Sequence, residues 1–85
     1  MATVWAMTLV GCAAAPIQAM SDARQAIEAA VQSGGDQKAA QQMQDARTAM
    51  TQAETALKRV QYKRARELAQ EARAKAIEAQ RASEQ

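Results

Sequence analysis

The chain has 85 residues, 48% apolar and 24% charged, with a formal net charge of +2 and no histidine. Such a length holds one domain, and the scarcity of aromatic residues and of strand-type runs excludes a sheet and points to an all-α fold. Without histidine, the commonest general base and the commonest metal ligand are both missing.

In chain order, Met1 to Val10 (MATVWAMTLV) is uncharged and mostly apolar. It is too short to span a bilayer, which needs ~20 apolar residues. It fits the hydrophobic part of a secretion signal, although no Lys or Arg precedes it. Leu9, Val10, Gly11 and Cys12 follow, and Cys12 is the only cysteine. This run resembles the lipobox of bacterial lipoproteins. Small residues before the cysteine let the peptide lie extended in a signal peptidase, and the thiol takes a diacylglyceryl group. The resemblance implies a signal-peptide-like segment (1–11), a lipidated tether (12–16) and a helical domain (17–85). The alternative is an ordinary helix in which Cys12 is a small buried hydrophobe. By the same resemblance, Ala13 in place of Asp implies the outer membrane, facing the periplasm, rather than the inner membrane.

The first helix is predicted over 17–32. Its stripe is Ile17, Met20, Ala23 and Ile27, then Ala30 or Val31. Ser33-Gly34-Gly35 ends it, because glycine supplies the left-handed closing conformation. Asp36 is placed to cap a second helix over 36–59. A third helix covers 61–81, and Ala82 to Gln85 are expected to fray.

The second and third helices carry two seams. Met43, Ala46, Met50, Ala53, Leu57 and Val60 recur in steps of three and four, as do Tyr62, Ala65, Ala69, Ala72, Ala76 and Ala79. Extending the first seam would meet Arg64 and Glu67, so the seams are out of phase. A reversal at Lys58 to Tyr62 predicts an αα-hairpin; the alternative is one long helix with two stripes. Each buried alanine removes little apolar area. Met43, Met50, Leu57, Val60, Tyr62, Leu68 and Ile77 are therefore expected to carry the core. The expected fold is a short antiparallel three-helix bundle behind the apolar segment.

Ala46-Arg47, Met50, Ala53, Ala56-Leu57, Tyr62, Arg64-Ala65-Arg66-Glu67-Leu68-Ala69 and Ala72 form an ordered pattern over about half the chain. The pattern resembles a family of small bacterial envelope proteins of unknown function, many of them lipoproteins with an alanine-rich helical domain. Members usually carry Gly-Asp or Gly-Asn before the tyrosine, where this chain has Val60-Gln61.

Two groups of charges bear on function. Lys58, Arg59, Lys63, Arg64 and Arg66 cluster around the expected turn. They suit an anionic surface, or else form a solvated face partly neutralised by Glu54 and Glu67. Nucleic acid is not expected, because the export signal would put the protein in another compartment and Tyr62 is the one aromatic residue among these charges. Glu67, Glu71 and Glu78 do not converge from several elements, so no metal site and no cofactor is expected. Pairs at four-residue spacing are predicted between Arg24 and Glu28, Glu54 and Lys58, Lys63 and Glu67, and Glu71 and Lys75.

With no nucleophile–base pair or phosphate loop, the expected function is non-enzymatic. The chain reads as a lipid-anchored envelope module that binds or scaffolds another envelope protein or the cell wall. The alternative is a structural accessory subunit, or a homo-oligomeric coiled-coil lipoprotein.

Overall fold

The computed structural model describes residues 15–84, and every regular element among them is α-helical. The elements are α1 (Ile17–Gln32), α2 (Gly35–Lys38), α3 (Ala40–Lys58) and α4 (Tyr62–Ser83). Leu9, Val10, Gly11 and Cys12 lie outside the described residues, as does the signal-like segment.

α1 starts directly after Pro16, whose missing N–H costs nothing at a helix start. The Pro16 carbonyl accepts the Met20 N–H at 3.0 Å. Met20, Ala23 and Ala30 are buried, while Ile17 and Val31 are exposed, so the stripe ends on Ala30 and does not begin at Ile17. Gly34, at φ 88°, closes α1 as expected.

The second helix expected over 36–59 is two elements. Ala39 donates its N–H to the Gly35 carbonyl at 2.8 Å, which completes the single turn of α2. Its own φ of −142° and ψ of 49° then leave the helical region. The chain changes direction there, and the Ala39 carbonyl opens α3 by accepting the Met43 N–H at 3.0 Å. Gly35 makes the tight joint possible. A Cβ on it would lie 2.8 Å from the Ala30 oxygen and 3.0 Å from the Met43 sulfur. Asp36 therefore does not cap a long helix. Its carboxylate instead accepts hydrogen bonds from Arg47 at 2.8 and 3.4 Å.

The reversal between α3 and α4 falls at Arg59–Gln61. Gln61 N–H reaches back to the Ala56 carbonyl at 2.9 Å, and Val60 N–H to the Leu57 carbonyl at 3.0 Å. These two bonds make a Schellman closure. The residue in its left-handed position is Val60, at φ 61°. Residues 43–79 are thus a hairpin and not one rod.

The seam of α4 matches its spacing closely. Ala65, Ala69, Ala72, Ala76 and Ala79 are fully buried, joined by Leu68 and Ser83. On α3 the buried set is Met43, Ala46, Ala49, Met50, Ala53 and Ala56. The expected core positions Leu57 and Val60 are half-buried and exposed respectively, because the closing turn rotates the last residues of α3 off the seam. Tyr62 and Ile77 are also only half-buried. Met20 and Met43 are the largest fully buried side chains. Flexible thioethers fill the gaps that a wall of methyl groups leaves.

One half of the core joins Met20 and Ala23 of α1 to Ala49–Ala56 of α3 and Ala65–Ala72 of α4. The other joins Ala30 to Met43, Ala46, Ala76 and Ala79. Hence α1 runs parallel to α4, and α3 runs antiparallel to both. α4 packs extensively on both neighbours, and α1 meets α3 much less.

Residues 82 and 83 do not fray. Ser83 is 3% exposed, its hydroxyl donates to the Gln80 carbonyl at 2.8 Å, and Lys38 Nζ donates to the Ser83 carbonyl at 3.4 Å. A cation there satisfies a free carbonyl at a helix C-terminus.

Candidate functional site

The packing brings two chain segments to one end of the domain. Met20, one turn into α1, shares a core cluster with Ala56 at the end of α3 and with Ala65 and Leu68 at the start of α4. The start of α1 and the α3–α4 turn are therefore at the same end. The α1–α2 joint and the C-terminus of α4 are at the other, held together by Lys38 and Ser83.

The basic cluster is built on the turn. Lys58 is the last residue of α3, Arg59 its C-cap, and Lys63 and Arg64 lie in the first turn of α4. All four are exposed, whereas Arg66 is half-buried and already engaged within the protein. Gln61, Tyr62, Lys63, Arg64 and Glu67 line a shallow, open depression at the tip. A second groove beside it runs along Thr51, Thr55, Arg59 and Arg64. Glu67 is the one carboxylate in the tip depression. The two threonines were not anticipated from the sequence. Nothing in their spacing marks them until the turn folds Arg64 back toward α3.

The polarity of this end is uneven. Both helices that begin here, α1 and α4, have no acidic residue in their first turn. Two helix N-termini and the C-terminus of α3 meet here, so the helix dipoles leave a net partial positive charge that adds to that of the side chains. The opposite end carries Asp36 and Glu84. There the Arg47 guanidinium, hydrogen-bonded to Asp36, holds that carboxyl below the usual aspartate range.

The ion pairs differ from the expected four-residue set. Arg24 of α1 reaches across to Glu54 of α3 at 3.6 Å, and Lys75 meets Glu78 at 3.8 Å. Side chains this exposed choose partners by reach across neighbouring helices as readily as along one helix, and each such pair contributes little.

Among the described residues there is no buried side-chain polar atom without a partner and no group of three or more metal-type ligands. No helix of the described residues is long and apolar enough to cross a membrane.

No curated relative and no solved structure matches the chain. The model of the family described as Domain of unknown function (DUF4398) does match it, over residues 18–85. That span takes in the α1 stripe, the joint, the hairpin and both seams, and the chain belongs to this family.

Proposed function

We propose that the protein is a non-enzymatic, lipid-anchored module of the bacterial envelope, held through acylated Cys12 at the outer membrane and facing the periplasm. The observation that carries this reading is the run Leu9-Val10-Gly11-Cys12, which closes an apolar segment just ahead of a family domain starting at residue 18. In this reading residues 1–11 are removed as a signal, and 12–16 tether a short three-helix bundle in which α2 is the joint. Helical faces made of exposed glutamine, lysine, arginine and glutamate suit binding or scaffolding of another envelope protein or the cell wall.

Intact mass of the native protein extracted from membranes tests it. Cleavage before Cys12 with added acyl chains is the expected result; a retained leader with an unmodified thiol overturns it. Sedimentation of the detergent-solubilised protein then separates a binding module, expected as a monomer, from a homo-oligomeric or accessory subunit.

A further inference from the structure

The α3–α4 turn breaks two local rules at once. Val60 sits at φ 61°, a region that β-branched residues almost never enter. Its side chain gains no burial in return, being 66% exposed. Lys63 and Arg64 occupy the first turn of α4, where the helix dipole disfavours cations. Stability alone would place glycine at the first position and acids at the others. Local rules broken together in this way mark functional surfaces.

The exposed apolar side chains add to this. Among the described residues, Ile17, Val31 and Val60 are the large ones. Two of the three, Ile17 and Val60, belong to the end of the domain that carries Lys58, Arg59, Lys63 and Arg64. Among the described residues none of these four basic side chains is held in a hydrogen bond or ion pair. Apolar side chains that share an end with exposed cations suit a surface where acyl chains meet anionic headgroups.

We infer that this end of the domain docks onto an anionic phospholipid bilayer. Val60 at the turn and Ile17 at the same end of the domain enter the headgroup region, and Lys58, Arg59, Lys63 and Arg64 meet the lipid phosphates. The inference rests on the anchored reading for its direction. From Cys12 to Ile17 an extended chain spans at most ~17 Å, so a lipid on Cys12 would hold this end, and not the Gly34 end, against the membrane. The strained valine then has a purpose: it presents an apolar side chain at the outermost point of a turn that glycine would leave bare.

The test uses the mature chain of the anchored reading, residues 12–85, carrying Cys12→Ser, so that neither an acyl chain nor the apolar segment 1–11 contributes. It is mixed with vesicles of phosphatidylcholine plus phosphatidylglycerol, and with vesicles of phosphatidylcholine alone. Sedimentation should show binding to the anionic vesicles that weakens with added salt. Lys63→Gln with Arg64→Gln should lower the partition coefficient roughly 30-fold. Arg73→Gln with Arg81→Gln removes the same charge elsewhere and should change it little. Val60→Asn should lower binding about fivefold to tenfold, while melting temperature holds or rises, because asparagine accepts the left-handed region. Stability and binding moving in opposite directions is not expected from a structural role.

Equal partition onto both kinds of vesicle overturns the inference, as does an equal loss from the Arg73 and Arg81 pair. Self-association without vesicles that Val60→Asn abolishes would assign the face to a second copy instead. The two proposals fail separately. An unmodified Cys12 in the native protein sinks the anchor alone, and an acylated protein whose tip variants bind like the parent sinks the docking face alone.

Discussion

At one end of the domain Gly34 takes the left-handed position that closes α1; at the other, Val60 takes the same position at the close of α3. The first end follows the rules of a stable joint. Glycine adopts φ 88° without a Cβ to clash, Gly35 lets α1 and α3 approach, Asp36 is paired with Arg47, and Lys38 caps α4. The second end follows few of them. A β-branched residue is strained, cations crowd a helix N-terminus, and the apolar side chain of Val60 faces solvent. Both turns reverse the chain equally well, so the hydrogen bonds of a Schellman closure are sufficient without glycine when the flanking helices pack. On the docking proposal, the first end serves folding and the second serves what it presents.

The largest test removes what lets both ends close. Ala69 is fully buried on α4, in the half of the core that joins α1, α3 and α4 near the α3–α4 turn. Ala69→Leu should overpack the seam and cost about 3 kcal/mol, read as a fall in the urea midpoint. An unchanged midpoint would mean that α4 does not pack through this face. Next comes Gly35→Ala. The new Cβ meets the Ala30 backbone oxygen, which cannot swing away, so about 2 kcal/mol should be lost in thermal unfolding. A neutral result would show the joint to be looser than its contacts.

The left-handed residues should then respond with opposite signs. Gly34→Ala meets nothing within 4 Å, so its cost, about 1 kcal/mol, is backbone strain alone. Val60→Gly should gain about 1 kcal/mol, the relief of strain outweighing the extra freedom of glycine in the unfolded chain. If chemical denaturation shows a loss instead, Val60 contributes packing and the contrast between the two ends fails.

The smallest effect concerns pH. Asp36 is held below its ordinary range by Arg47, so its contribution is present at neutral pH. It fades as the pH falls below about 4, where the carboxylate protonates. Asp36→Asn should remove a small acid-sensitive part of the melting temperature, and salt should shrink the difference between the two proteins.

Much of the fold is legible in the residues. The seam Ala65, Ala69, Ala72, Ala76 and Ala79 follows from spacing alone, as do α1 and the hairpin, because out-of-phase stripes cannot face one neighbour. The split at Ala39 was not legible. Alanine favours helix, and only the approach of Gly35 to Met43 forces the chain to turn there. Ser83 lay beyond the predicted helix because its burial depends on α2 folding over it. The basic cluster was visible as composition, but its division was not: whether Arg66 stands with the other four depends on how α4 is rotated against its neighbours.

By itself, then, the sequence determined the family, over residues 18–85, and the helical content and stripes, which depend on residues within a few turns of one another. The tertiary structure decided which residues share an end. Because α1 lies parallel to α4, it brings residue 17 to the same end as residue 60. No local periodicity encodes that meeting, since it arises from the order in which three helices close on a common alanine face.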